Sequence, residues 1–364
     1  MHRRRFLNLG LTILKAALAA GLLRTVAHAA GDGPAAESTP LHYRPLNGRS
    51  LRAIARRREH HGDGRFVNPM GLDRSGRLLK ILSWKFLHHN AYEAELADQP
   101  VRRVTVDWGR GGDGLSITYL KHASLMLQDA GTRLLVDPVF ASPFWFMRDF
   151  TPLDLESSPL PAPDHLLITH GHYDHLDTDS LAQLPRDVHV ICPPGYDDIF
   201  EEAGLRRRTV LDWYESYRDG EREITFLPAN HWTMRNPVVG PNTGLWGSYL
   251  VRTASGPAVY IAGDTAYFDG FDQIGREFEI DLAVFNVGAY EPRWFMAPSH
   301  ISPQETAAAF HELRAKRLMI MHWGSFRLGD EPVHLPPRHM QAAMSAAGFA
   351  DRLVPWVHGQ TVAV

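Results

Sequence analysis

The feature that most restricts this chain is the run His170-Gly-His172-Tyr-Asp174-His175, which follows the apolar stretch His165-Leu-Leu-Ile-Thr169 without a break. A stretch of that kind predicts a buried strand, and the polar run is then the loop at its end, where a rigid scaffold presents chemistry. Four ligand-type side chains within six residues can be turned by a tight loop toward two neighbouring points. Imidazole nitrogen and carboxylate oxygen are donors that zinc accepts, and a catalytic zinc keeps one position open for water. A lone His-x-His would mean little; the complete run after an apolar strand predicts a metal-dependent hydrolase.

The loop alone leaves each metal short of donors, so isolated His and Asp residues are expected at later strand ends. His231, Asp264 and His322 fill that expectation, each just past an apolar stretch. Imidazole has to supply the site, because Cys192 is the one cysteine; it excludes an internal disulfide and any multi-cysteine zinc site. A formal net charge of −3 leaves no global footprint for nucleic acid.

Around this loop the chain reads as two similar halves. Strands are predicted at 103–108, 115–119, 124–127, 133–138 and 165–169, then at 188–192, 223–228, 247–252, 258–262, 281–286 and 317–321. Helices are predicted at 178–184, 195–203, 303–314 and 337–347; the third opens on Ser302, Pro303 and Glu305, the elements of a capping box. Strand-rich halves with helices following imply an α/β fold of two sheets packed face to face and covered by helices.

The N-terminus is a separate matter. Arg3-Arg4-Arg5-Phe6-Leu7, a mildly apolar middle and Ala27-His28-Ala29 form a signal peptide of twin-arginine type over residues 1–29, cut after Ala29. Export of that kind delivers a folded protein to the bacterial periplasm. Residues 30–100 then form a leader and N-terminal arm, and 101–364 the hydrolase domain. The arginines between Arg49 and Arg65 allow two readings: a contact with anionic headgroups, or a solvated arm packed on the domain.

The full pattern resembles the metallo-β-lactamase superfamily, which implies an αββα sandwich of two mixed sheets flanked by helices. By that resemblance His170, His172 and His231 hold one Zn2+, Asp174, His175 and His322 hold the second, and Asp264 bridges them. The strings Asn230-His-Trp232, Ala262-Gly-Asp-Thr265, Gly288-Ala-Tyr-Glu-Pro-Arg-Trp-Phe-Met296 and Met321-His-Trp-Gly324 are similar to the subgroup of phospholipases D that hydrolyse N-acylphosphatidylethanolamine. The likeness runs from about His60 to the C-terminus and departs over 140–152.

What the resemblance implies is a phosphodiesterase releasing phosphatidic acid and N-acylethanolamine, with two zinc ions acidifying a bridging water. Asp174, Asp264 and His300 are its expected catalytic residues, and Arg293, Tyr290 and His122 its expected substrate contacts. Arg293 has an alternative as an ion-pair partner of Glu291, and His300 as a packing residue. Tyr173 reads as loop packing. The aromatic run Phe140, Phe144, Trp145, Phe146 and Met147 reads as core, with a lipid channel or a membrane contact as the second reading. A lactone or small phosphodiester as substrate, iron or manganese as metal, and an inactive metal-binding scaffold remain open alternatives. A homodimer is implied by the resemblance alone.

Overall fold

The computed structural model describes residues 41–72, 90–96, 99–108 and 114–364; the expected signal peptide and most of the leader lie outside these residues. Two mixed sheets carry the fold. The first is built from β1 (Ser116–Lys121), β2 (Ser124–Asp129), β3 (Thr132–Val136), β4 (His165–Leu167), β5 (His189–Cys192), β6 (Arg208–Val210) and the C-terminal β13 (Thr361–Ala363), in the order β13-β1-β2-β3-β4-β5-β6. The second holds β7 (Ser216–Asp219), β8 (Arg222–Leu227), β9 (Ser248–Arg252), β10 (Ala258–Ile261), β11 (Leu282–Asn286) and β12 (Arg317–Met321), in the order β12-β11-β10-β9-β8-β7.

Each sheet joins an antiparallel meander to a parallel segment. The β1–β2 and β2–β3 pairings are antiparallel, and β3, β4, β5 and β6 are parallel neighbours. In the second sheet β7, β8, β9 and β10 are antiparallel neighbours, and β10, β11 and β12 are parallel. The β2–β3 hairpin turns on Ala130 and Gly131 at φ 47° and 77°, the two positive values of a type I′ turn.

Strand alternation explains why both faces of the first sheet are covered. Leu125, Leu127, Leu134, Val136 and Leu167 join the core between the sheets, whereas Met126, Leu135, Leu166 and Ile168 enter a second cluster with Leu181 and Phe200. The outer face of the second sheet packs under helices whose Phe271, Phe310, Met340 and Met344 are fully buried. The capping box forms as the sequence predicts: Ser302 accepts from the Glu305 N–H, and Glu305 reaches back to the Ser302 N–H. Among the described residues no helix is long and apolar enough to cross a membrane.

One expected strand does not form. Residues 103–108 are not a strand; Val104 makes a single parallel bridge to Leu153 and the stretch continues as irregular backbone. Of the two readings of the arm, packing on the domain is the one its described residues follow. Leu46, Leu51 and Ile54 are buried in the main core, and Leu51–Arg56 form a short helix capped by Ser50. Most of the arm's arginines have local partners: Arg49 and Arg57 meet Glu59, Arg52 meets Glu277, and Arg65 donates to the carbonyls of Val239 and Pro241. His60 and His61 grip opposite oxygens of Asp212 at 2.6 and 2.7 Å. Residues 42–72 thus pack on the domain, as the second of the two readings of the arm expects.

Candidate metal centre

The site forms where parallel strands of both sheets end. Asp137, at the end of β3, is fully buried and organises the next loop: its carboxylate accepts from the Thr169 N–H at 2.8 Å and hydroxyl at 2.5 Å, and from His175 Nδ1 at 2.8 Å. Gly171 is required by crowding, since a Cβ there would lie 2.2 Å from the Tyr196 ring. Arg235 closes the loop from the other side, donating to the carbonyls of Gly171 and Leu176 at 3.1 and 2.6 Å while lying over the Tyr173 ring. From the arm, Asn68 donates to the Asn230 side chain and the His231 carbonyl, both at 2.8 Å.

These supports bring all seven expected ligands together. His172 Nδ1 lies 2.9 Å from His170 Nε2 and 3.2 Å from His231 Nε2, and Asp264 Oδ2 lies 4.0 and 3.8 Å from the latter two. On the other side, His175 Nε2 and His322 Nε2 are 3.3 Å apart, and Asp264 Oδ1 is 3.4 and 3.3 Å from them. Asp174 Oδ2 completes this group at 3.6 Å from His322 and 4.0 Å from His175. Four donors around a tetrahedral ion with bonds near 2.1 Å stand about 3.4 Å apart. Each group matches that spacing, with one oxygen of Asp264 in each.

The electrostatics point the same way. Burial and the neighbouring His175, His172 and His231 hold His170 well below the usual imidazole range, which keeps the ring neutral and available as a donor. Burial alone would raise the Asp174 and Asp264 carboxyls. Hydrogen bonds from His122 and His322 to Asp174, and the charges of His322 and His175 beside Asp264, outweigh it and leave both well below the carboxylate range. Carboxylates and imidazoles packed at this density are a donor set that fits divalent cations.

Other expected residues fall on two sides of this group. His300 stands beside it, its Nδ1 3.8 Å from Asp264 Oδ2; burial pushes the ring down to about 4. His122 is fully buried, with Nε2 2.9 Å from Asp174 Oδ2, so it faces a ligand and not a substrate. Tyr290 is buried and pairs its hydroxyl with His339 at 2.7 Å. The Arg293 guanidinium is taken up by the carbonyls of Tyr290 and His300 and by Glu305, which is its ion-pair partner in place of Glu291. Both residues shape the loop that carries His300; neither points at the donors.

The aromatic run divides. Phe140 is buried as core, but Trp145 is 96 % and Phe146 66 % exposed. Phe144 links them to the metal loop: its ring packs on Phe146 at 5.3 Å and on Tyr173 at 5.1 Å. Tyr173 in turn donates to the Arg235 carbonyl, in the loop where Val238 and Val239 are also exposed. An apolar rim therefore adjoins the site on two loops.

Sequence reasoning passed over Asp137, Arg235, Asn68 and Asn286, whose amide donates to Asp264 Oδ1 at 2.7 Å. Asp137 had a signal, a carboxylate ending an apolar strand; Arg235 and Asn68 had none.

Comparison with known proteins follows the geometry. A family model described as "Beta-lactamase superfamily domain" matches residues 132–323. An N-acyl-phosphatidylethanolamine-hydrolyzing phospholipase D of Caenorhabditis elegans is 31 % identical over 258 residues, covering 66 % of this chain and 72 % of the relative. A metal-dependent hydrolase of the UPF0173 group from Nitratidesulfovibrio vulgaris is 29 % identical over 211 residues, 58 % of this chain and 80 % of the relative. Among solved structures, isothiocyanate hydrolase from Delia radicum gut bacteria superposes with a TM-score of 0.56 at 20 % identity, covering 68 % of this chain and 98 % of that one; the likeness is one of fold.

Proposed function

The chain belongs to the beta-lactamase superfamily, and from that premise we propose that it is a two-zinc phosphodiesterase of the phospholipase D kind. Its substrates in this reading are N-acylphosphatidylethanolamine-like phospholipids, cleaved to phosphatidic acid and N-acylethanolamine. Metal-dependent hydrolysis follows from the family and its named relatives. The observation that carries the two-ion reading is a pair of adjacent donor clusters, His170, His172 and His231 beside Asp174, His175 and His322, with one oxygen of Asp264 within 4.0 Å of two rings in each. Support for a lipid comes from the rim of Trp145, Phe146, Val238 and Val239, since exposed aromatic and aliphatic side chains beside a site suit an interface with acyl chains.

When bound, a pair of divalent ions supplies a water acidified toward neutral pH and positive charge for the phosphoryl oxygens. The protein's part is positional. Asp264 fixes the separation of the two groups, and the Asn286 amide holds its Oδ1. In this reading His300, a neutral ring with Nδ1 3.8 Å from Asp264 Oδ2, would serve as a base that accepts a proton from the attacking water. The buried Asp137 and Phe140 close the rear of the loop to bulk water. A periplasmic setting is part of the proposal and has only the twin-arginine-like start of the sequence behind it.

The test is to assay metal-loaded protein on N-acylphosphatidylethanolamine, phosphatidylethanolamine, a soluble phosphodiester and a lactone panel. Release of phosphatidic acid, lost in Asp264→Ala and His172→Ala, is expected. Turnover confined to the lactones would refute the proposal.

A further inference from the structure

We propose that His122 is a positioning residue for one of the two ions only, the one held by Asp174, His175 and His322. The inference rests on the two-ion reading above and concerns how unequally the two groups are supported.

Ring ligands are normally steered by a hydrogen bond at the nitrogen that does not face the metal. Here His170 Nδ1 meets the Thr169 hydroxyl at 3.0 Å, His231 Nδ1 meets the Ser299 carbonyl at 3.0 Å, and His175 Nδ1 meets Asp137 at 2.8 Å. His322 is the exception: its Nδ1 is buried with no hydrogen-bond partner. Its backbone is also left-handed, at φ 72°, a conformation that needs support in a residue with a side chain.

His122 supplies that support twice over and holds a neighbouring donor as well. Its carbonyl accepts from the His322 N–H at 2.7 Å, and its ring lies against the His322 ring with centroids 3.9 Å apart. Its Nε2 lies 2.9 Å from Asp174 Oδ2, the oxygen that faces His322 and His175. His122 Nδ1 is buried without a partner, so the single proton of the neutral ring belongs on Nε2, where an acceptor waits. One residue thus orients two of the three donors that the second ion does not share. In the first group Thr169 and Ser299 steer His170 and His231.

The experiment equilibrates the loaded full chain against graded chelator and counts retained ions by elemental analysis, with circular dichroism to confirm folding. Wild type is expected to release two ions. In His122→Phe, which keeps a ring against His322 but loses the donor, affinity for one ion should fall about 10- to 100-fold while the other stays within about threefold. His122→Gln, which restores an N–H donor of similar reach, should recover most of the loss. Equal weakening of both ions, or none, would overturn the inference. Loss in His122→Gln as large as in His122→Phe would overturn it too, since the nitrogen would then be a ligand and not a donor. A wild-type protein that never holds two ions would instead refute the reading on which the inference rests.

Discussion

Glu331 should make the protein less stable as the pH rises toward neutrality. Its carboxylate is buried and accepts from the backbone N–H groups of Tyr290 and Glu291, both at 3.1 Å, so it pins the loop that leads to His300. Burial opposes ionisation and the backbone donors favour it; burial wins, and the carboxyl is pushed up from 4.5 to about 7. A raised carboxyl binds its proton more tightly in the folded state than in the unfolded one. Its stabilising effect is therefore complete below about pH 4.5 and is lost as the pH climbs through about 7. At about 1.4 kcal/mol per unit, the loss amounts to about 3 kcal/mol. Glu331→Gln removes the titration and also replaces one acceptor, at a constant cost of about 1–3 kcal/mol. Urea unfolding from pH 5 to pH 8.5, at fixed metal, should find wild type the more stable at the acid end and the gap narrowing by about 3 kcal/mol at the other. A gap that stays constant across that range would refute the reasoning, because the carboxylate would then be ionised throughout.

Two further outcomes are expected. Trp145→Ser with Phe146→Ser should lower binding to phospholipid vesicles about 10- to 100-fold while leaving hydrolysis of a soluble phosphodiester within about twofold; equal losses on both would show that the rim serves the fold and not a lipid. Asn68→Ala frees the His231 carbonyl and the Asn230 side chain, so unfolding free energy should drop by about 1–3 kcal/mol and chelator should strip metal at lower concentration. Unchanged metal retention would rule out a role for the arm in the site.

The seven donors were legible because each breaks an apolar strand at its end, and a polar residue in that place has few roles besides chemistry. The central strands were legible for the related reason that burial on both faces leaves near-continuous apolar runs. Residues 103–108 alternate like a strand, yet their backbone partners are scattered over Pro152, Asp154 and Gly359, and alternation cannot reveal that no continuous neighbour exists. The reverse error hid β7, whose sequence Ser-Tyr-Arg-Asp is exposed at a sheet edge and carries no apolar pattern. Arg293 and Tyr290 show a different limit. Their chemistry suits a substrate contact equally well, and only tertiary geometry reveals that Glu305 and His339 already engage them. Trp145 and Phe146 read as core because hydrophobic runs usually are; what places them outside is the loop's path, which no local pattern encodes.

The shared centre has a mechanical side as well. Its donors come from the loops after β4 and β8 and from the ends of β10 and β12, so both sheets contribute. His175 and His322 are 147 positions apart in the chain. An ion gripping both closes a loop of that length, the task a disulfide performs in other proteins and one that the lone Cys192 cannot perform here. On the chain-entropy account, a cross-link of that span removes about 5 kcal/mol of disorder from the unfolded chain. Chelation should then loosen the seam between the sheets, seen as faster amide exchange at the ends of β4 and β12, before any change in secondary structure.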